Sequence, residues 1–404
     1  MTHTSTAASA NVSSADWRVI LLASLGGALE FYDFVVYSQF AQYIGANFYP
    51  NDDAMVSLIL SFGTFALGYF ARPLGGIFFS HIGDRIGRRR VLIVTILAMS
   101  CATLGIGLLP TYEQVGILAP VLLILLRLVQ GFCLGGELPG AITYVVETAP
   151  RRSGFSVGVI FFCVNSGVLL AALLNLAVHG TMSIEAIGAW GWRIGFLVGG
   201  ALGVVSFMLR LSLEESREFA RMRATAGDSR VRLKELFSTH AKAVLVGFLV
   251  LSATAGFNGL LFAMPAFLPQ AMGYEAVEAI LATNVALAVV SAGLLTVAWF
   301  SDRVSRRALM LTGVGGLILL SWPFFRALQD MTLPLIPIFV LAGVVASFCT
   351  GTVIAIAADL FPTRIRFSGV AMSFNLSFTL LSGLAPVIAA LLARQTGVPA
   401  SAAF

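Results

Sequence analysis

The chain has 404 residues, of which 58% are hydrophobic and 11% are charged, and its mean hydropathy is +0.91. This composition excludes a soluble globular domain, because most of the side chains need lipid rather than water around them. The net charge of +5 does not indicate nucleic-acid binding, since most of the basic residues lie in short segments between the apolar ones.

Eleven apolar segments are close to or above the roughly 20 residues that cross the hydrocarbon core of a bilayer as a helix. We number them spans 1 to 11 in chain order: 17–43, 54–81, 90–109, 118–147, 154–178, 190–213, 240–269, 276–299, 307–327, 333–358 and 367–392. The four cysteines lie inside these segments without CxxC spacing, so they indicate neither disulfides nor a metal site.

Span 1 carries two carboxylates close to its middle. Glu30 and Asp33 are three residues apart and therefore share a helix face, which Tyr37 continues. An ionisable side chain near the bilayer centre costs roughly 2.5–3.5 kcal/mol, so each carboxylate needs a partner or a water-lined cavity. We predict that Asp33, Glu30 and Glu137 of span 4 take up and release protons as the proton-coupling residues; for Glu30, a purely structural role is an equal alternative.

Spans 2 and 4 supply candidate partners for these carboxylates. Arg127, Gln130 and Glu137 form a polar stripe on span 4, and Arg72 lies in span 2. At a rise of ~1.5 Å per residue, Arg127 lies at about the same depth in the membrane as Asp33, and Arg72 lies at about the same depth as Glu137. We therefore predict the pairs Asp33–Arg127 and Glu137–Arg72. A substrate that draws the arginine away would let the carboxylate take a proton; the alternative is a static link between helices.

Four later spans each carry an amide near the middle of the membrane. Asn165 lies in span 5, Asn258 in span 7, Asn284 in span 8 and Asn375 in span 11. They can either contact substrate or join helices by hydrogen bonds worth about 0.6 kcal/mol each. The predicted substrate-binding residues are Arg127, Arg72, Tyr37, Gln130, Asn165, Asn258 and Asn375. Small residues at Gly131, Gly135, Gly136 and Gly140 predict close packing of span 4 against a neighbour.

Two loop sequences occur twice, about half the chain apart. Gly83–Arg90 after span 2 is echoed by Ser301–Arg307 after span 8, and Glu147–Pro150 is echoed by Asp359–Pro362. Repeats at this offset in an apolar chain are typical of transporters built from two halves. We predict that acids and arginines of these loops close the inner side, with Arg85 and Arg88 reaching Glu147 and Arg303 reaching Asp359. The predicted gating residues are Asp84, Arg85, Arg88, Glu147, Asp302, Arg303 and Asp359.

The basic loops all lie on one face of the bundle, and the alternate loops contain no Lys or Arg. This asymmetry places the N-terminus and the central loop in the cytoplasm. We predict a tail at 1–16, a six-helix bundle at 17–213, a linker at 214–239 and a second bundle at 240–404. Because a six-plus-six duplication needs twelve helices, we expect one helix to be missing after Phe404.

Five motifs resemble those of the major facilitator superfamily and, within it, the metabolite:proton symporter branch. They are Leu29–Phe34, Ala71–Gly76, Gly83–Arg90, Leu108–Tyr112, and Arg127–Gly131 with Gly135–Glu137. The resemblance implies an all-α polytopic membrane protein of two pseudo-symmetric six-helix bundles, and members carry carboxylates, shikimate-like acids, or osmolytes such as betaine and proline. The chain departs from the pattern at Phe31, at Leu138-Pro139 and at Ser305.

No enzyme is predicted, since the four histidines are isolated and no HExxH, GxSxG or Walker lysine motif occurs. We predict a secondary active transporter, without a cofactor, in which a proton gradient drives symport of a small organic acid (a mono-, di- or tricarboxylate) by alternating access. Uptake of a zwitterionic osmolyte is the alternative, and a sensor with a transporter fold is a third possibility. We expect a monomer in a bacterial-type inner membrane, with the lipid bilayer as its partner.

Overall fold

The computed structural model describes residues 14–86, 88–135, 153–211 and 238–403, together with residues 138, 142, 143, 146 and 236. Within these residues the regular structure is entirely helical. Spans 1 to 5 correspond to the helices Ser14–Gln39, Ala54–Ile86, Arg88–Leu108, Leu118–Leu134 and Ser153–Thr181. Spans 6 to 9 correspond to Trp192–Leu211, Ala241–Met272, Ala276–Ser301 and Arg306–Asp330. Spans 10 and 11 are interrupted: Leu335–Thr350 with Val353–Asp359, and Thr363–Ser377 with Gly383–Thr396.

Eight helices in the described part are long and apolar enough to cross a membrane, and they contain spans 2 and 5 to 11. Spans 3 and 4 have shorter apolar stretches, Ile93–Leu108 and Leu118–Leu134. Large apolar side chains remain exposed around the bundle, for example Ile318 at 70% and Leu319 at 77% on span 9. Such a surface is suited to lipid rather than water.

The packing of the spans repeats between the two halves. Span 1 packs on span 5 as span 7 packs on span 11, and span 2 packs on span 4 as span 8 packs on span 10. Span 3 packs on span 6. The halves meet where span 5 lies against span 8 and span 2 lies against span 11. The duplication inferred from the loop motifs is therefore present in three dimensions.

Spans 2 and 4 approach each other closely because glycines face one another. A Cβ added at Gly131 would overlap the backbone carbonyl of Gly68, and one added at Gly135 would overlap that of Arg72. Only glycine fits at such a backbone contact. The predicted seam on span 4 is confirmed at Gly131 and Gly135, and it fixes Arg72 and Arg127 in adjacent helices.

Candidate functional site

A chain of hydrogen bonds joins the buried carboxylate of span 1 to the buried guanidinium of span 4. Thr103 Oγ1 donates to Asp33 Oδ2 at 2.7 Å and accepts from Gln130 Nε2 at 2.7 Å. Gln130 Oε1 accepts in turn from Arg127 Nη1 at 2.9 Å. The predicted direct pair Asp33–Arg127 is therefore wrong: the closely packed span 3 places Thr103 beside Asp33, and the two charged groups are linked through Thr103 and Gln130.

Arg127 is completely buried and lies among aromatic rings. Its guanidinium carbon is 4.5 Å from the ring centre of Phe34, 4.2 Å from that of Tyr37 and 5.5 Å from that of Phe65. These contacts hold the cation over π-electron faces without neutralising it. Nε and Nη2 of Arg127 have no hydrogen-bond partner within the described residues. One edge of the guanidinium is thus left to bind a carboxylate with two parallel hydrogen bonds.

Arg72 lies at the meeting of the two halves. Its guanidinium carbon is 5.2 Å from the ring centre of Tyr69 in span 2, and 5.6 and 5.8 Å from those of Phe374 and Phe378 in span 11. A π-helical turn, Phe378–Ser382, interrupts span 11 here, and π-turns of this kind are frequent at functional sites. It brings the hydroxyl of Thr379 to the carbonyl of Tyr69 at 2.8 Å.

The remaining predicted substrate residues have different environments. Tyr37 stacks on Arg127, and its hydroxyl donates to the carbonyl of Ser61 at 3.2 Å. Asn375 donates to the carbonyl of Gly135 at 2.8 Å, so its amide Nδ2 joins the two halves. Asn165 and Asn258 are half-buried and make no hydrogen bond in the described part of the chain, and their role in substrate binding stays a prediction.

Several predicted residues cannot be compared with the structure. Glu137 and Glu147 lie outside the described residues, as do the side chains of Glu30, Asp84, Arg85 and Arg88. The pair Glu137–Arg72 and the network of the first loop therefore stay predictions.

The second copy of the loop motif joins the halves at the end predicted to face the cytoplasm. Asp302 accepts hydrogen bonds from the backbone N–H groups of Gly154 and Phe155, both at 3.0 Å, where span 5 begins. A carboxylate at a helix N-terminus is stabilised by the helix dipole and by the free N–H groups. Because Asp302 follows span 8, this contact holds span 5 of one half to span 8 of the other.

Arg306, and not Arg303, completes this contact. Arg306 donates to Asp302 at 2.9 Å, to the hydroxyl of Ser153 at 3.0 Å and to Asp359 at 2.7 Å. Arg303 instead stacks on Trp299, 3.6 Å from its ring centre. The predicted Arg303–Asp359 pair is therefore wrong. Span 9 begins at Arg306, and this start directs Arg306 inward while Arg303 remains exposed on the loop.

A different ion pair joins the halves at the opposite end of the bundle. Arg394 Nε, near the end of span 11, donates to Asp53 Oδ2 at 3.0 Å, just before span 2. This hydrogen bond is the main reason that the pKa of Asp53 lies below its ordinary value. Gln270 also donates to Gln42 across the halves at 3.3 Å. The two halves are thus in contact at both ends of the bundle.

Sequence reasoning missed Thr103, Arg306 and the Asp53–Arg394 pair. Thr103 carried no signal, because threonines are common in membrane helices and usually bond their own helix. Arg306 lay in the repeated motif, directly before the predicted start of span 9 at residue 307, and this position was a usable signal. Asp53 and Arg394 are far apart in the sequence. Asp53 lies in a loop and Arg394 lies near a helix end, where isolated charged residues are common and do not indicate a pair.

Comparison with known proteins places the chain in a family. A model of the Major Facilitator Superfamily matches residues 23–386. The chain belongs to the major facilitator superfamily. It is 33% identical to the glycine betaine/proline/ectoine/pipecolic acid transporter OusA of Dickeya dadantii, over 94% of this chain and 78% of that protein. It is 34% identical to the proline/betaine transporter of Salmonella typhimurium, with the same coverage of each chain.

A further relative and a solved structure agree with this placement. The chain is 34% identical to a putative proline/betaine transporter of Staphylococcus haemolyticus, over 94% of this chain and 82% of that protein. The fold matches the partially occluded inward-open xylose transporter XylE from E. coli with a TM-score of 0.74 and 18% identity, over 93% and 92% of the two chains. This confirms the predicted all-α major facilitator fold. All three of these relatives are named for proline or betaine.

Proposed function

We propose that this superfamily member takes up a zwitterionic osmolyte, such as glycine betaine or proline, together with protons. The observation that carries the proposal is Arg127, buried among aromatic rings with the Nε and Nη2 edge of its guanidinium unpartnered in the described structure. Three relatives named for proline or betaine, at 33–34% identity, support the same substrate class. We place the protein in a bacterial-type inner membrane with its N-terminus in the cytoplasm, as the loop charges favour.

The substrate carboxylate binds the free edge of Arg127. A planar guanidinium offers Nε and Nη2 to the two carboxylate oxygens in parallel, which fixes the orientation of the substrate as well as its position. The cationic end of the substrate then contacts the aromatic cluster around Arg127, chiefly at Tyr69, whose ring packs edge-on against Phe34 at 4.8 Å and Phe65 at 5.1 Å. Quaternary and secondary ammonium groups bind such faces through cation–π attraction without requiring a negative side chain.

Asp33 carries the coupled proton. When the substrate carboxylate takes the guanidinium, Arg127 exerts less attraction on Gln130, and the change passes through Thr103 to Asp33. Asp33 Oδ1 has no hydrogen-bond partner among the described residues, so a proton added there breaks no existing bond. Proton and substrate binding would thereby favour each other, as reciprocal coupling requires.

An organic acid remains the competing substrate, because two buried arginines, Arg72 and Arg127, supply positive charge. The aromatic environment of both arginines favours the zwitterion, since a dicarboxylate would place its second charge against π-electron faces. A transporter-like sensor is the third candidate, and it would bind substrate without moving it.

Uptake into proteoliposomes tests these alternatives. Labelled glycine betaine, proline, lactate, succinate and citrate are compared with and without an inward proton gradient. The proposal expects gradient-dependent accumulation of betaine or proline and none of the acids. Accumulation of an acid alone would replace the substrate class, accumulation without dependence on the gradient would exclude proton coupling, and binding without uptake would indicate a sensor.

A further inference from the structure

In the end of the bundle that carries the Asp53–Arg394 pair, two buried amide side chains have no hydrogen-bond partner among the described residues, and a third has a partner for only one of its two polar atoms. Gln39 is 1% exposed and Asn175 is 0% exposed, and neither amide makes a side-chain hydrogen bond within the described part of the chain. Asn284 donates to the carbonyl of Ala172 at 3.1 Å, but its Oδ1 accepts no hydrogen bond there. Unpartnered buried polar groups cost stability and therefore call for an explanation.

Gln39 and Asn175 lie near the same end of two parallel, packed helices. The carbonyl of Asn175 accepts a hydrogen bond from His179 Nδ1 at 3.0 Å, so Asn175 is one turn further into the bundle than His179 on the same helix. Gln39 is the last residue of the span 1 helix, and the ring of the next residue, Phe40, stacks on His179 with centroids 6.0 Å apart. The short helix Ala41–Phe48 follows, and the hydroxyl of its Tyr43 is 2.9 Å from His179 Nε2.

Asn284 brings the other half of the protein to the same place. It belongs to span 8, and its bond to Ala172 lies three residues, or about 4.5 Å, from Asn175 along span 5. Spans 1 and 8 both pack on span 5, so the three amides lie on helices that are in contact through span 5, beside the packing of spans 5 and 8 that joins the two halves.

We propose that Gln39, Asn175 and Asn284 form a second polar subsite, which binds the osmolyte between the outer surface and the Arg127 site. The inference rests on the proposed function. Amide N–H groups donate to the substrate carboxylate, and amide oxygens accept from or face its cationic end. Because the subsite carries no net charge, it suits a zwitterion and leaves the charge of an anion uncompensated.

The test uses two near-isosteric variants, Gln39→Met and Asn175→Leu, with Thr283→Val as the matched control. Thr283 is equally buried in span 8, but its hydroxyl already donates to the carbonyl of Ala279 at 2.8 Å. Proline and glycine betaine binding to the purified full chain is measured by calorimetry, and thermal unfolding is measured on the same samples. Each amide variant should raise the Kd for these ligands about tenfold. The melting temperature should stay equal or rise, because an unpartnered polar group is removed.

The outcomes distinguish failure of the polar subsite from failure of the proposed osmolyte uptake. If the parent protein binds and both variants bind as tightly as it does, the subsite is wrong while the proposed function stands. If the variants lose stability or fail to fold, the amides have a structural role and the subsite is likewise overturned. If the parent protein binds neither proline nor betaine, the proposed function fails, and the subsite fails with it.

Discussion

Thr103 donates a hydrogen bond of 2.7 Å to Asp33 Oδ2, and the same hydroxyl accepts from Gln130, the residue that links it to Arg127. A direct ion pair would have to break before either group could change partner. Here the carboxylate can take a proton and the guanidinium can take a carboxylate while the helices stay packed. We regard this link as the means by which the two binding events influence each other.

Removing the linking hydroxyl should uncouple the two events. Thr103→Val keeps the shape of the side chain, but Asp33 and Gln130 each lose a hydrogen bond. We expect the dependence of osmolyte affinity on pH to weaken severalfold, because protonation of Asp33 no longer acts on Arg127. The measurement is the Kd for proline across pH in detergent. Thr95→Val, another buried threonine of span 3, is the control, and an unchanged pH dependence in Thr103→Val would assign the coupling to another route.

The planar shape of Arg127 should matter as much as its charge. Arg127→Lys keeps the positive charge but loses the Nε and Nη2 edge and the stacking on Phe34 and Tyr37. We expect binding of glycine betaine to weaken at least about tenfold, or about 1.4 kcal/mol. Calorimetric titration measures this loss. Equal affinity in the variant would move the carboxylate site elsewhere, with Arg72 as the next residue to replace.

The contact of Asp302 with the start of span 5 should hold the inner side closed. Asp302→Asn keeps the size of the side chain but loses the charge that the N–H groups of Gly154 and Phe155 and the side chain of Arg306 stabilise. We expect the population to shift towards the inward-open state. Labelling of single cysteines should then rise on the inner half of the interface and fall on the outer half.

Asp330→Asn is the matched control for this experiment. Asp330 also pairs with an arginine, Arg326 at 2.8 Å, but both belong to span 9 and do not join the halves. The cysteine labelling pattern of Asp330→Asn should equal that of the parent protein. The same shift in both variants would show that loss of any negative charge suffices, and no shift in Asp302→Asn would require a gate elsewhere.

The Asp53–Arg394 ion pair should not respond to pH in the physiological range. Arg394 holds the pKa of Asp53 below its ordinary value of 3.8, so the carboxylate contributes to the contact above that pH and loses its contribution only as the pH falls below it. Labelling of outer-half cysteines should therefore be flat from about pH 5 to 8. Asp53→Asn should raise this labelling throughout the same pH range. High salt should also raise the labelling of the parent protein, because Asp53 and Arg394 are both exposed and salt screens their attraction.

Comparing the effects of salt and of pH on the labelling of outer-half cysteines checks this prediction. Asp52→Asn is the control, since it removes a neighbouring charge that Arg394 does not contact. A change in outer labelling of the parent protein between about pH 5 and 8 would mean that another group governs the outer side.

The sequence predicted those residues of the site that are energetically costly to bury in a membrane, because such residues are easily recognised in an apolar segment. Asp33, Arg127 and Gln130 stand out because polar groups in an apolar span need compensation. Thr103 does not stand out, since its hydroxyl also reaches the carbonyl of Met99 at 3.0 Å, as an ordinary helical threonine does. Matching depth along the helices suggested a direct pair, but depth alone does not define which side chain fills the space between them.

The substrate class was harder to predict than the fold. Spans and repeats follow from composition and loop charge, and the packing of the two halves agrees with them. Buried arginines alone favoured an anion. The rings around them gave no signal, because the chain has 31 phenylalanines and only the packing shows that Phe34 and Phe65 face Arg127. Likewise, only the start of span 9 decides that Arg306 rather than Arg303 reaches Asp359.

The most direct test of proton-coupled uptake is Asp33→Asn in proteoliposomes loaded with or without unlabelled glycine betaine. The variant cannot release or take up a proton at Asp33, but exchange of internal for external substrate requires no net proton movement. We predict that accumulation driven by a proton gradient is abolished while counterflow exchange remains measurable. Gradient-driven accumulation at the parent level, or an equal loss of accumulation and exchange, would contradict the role of Asp33 in coupling.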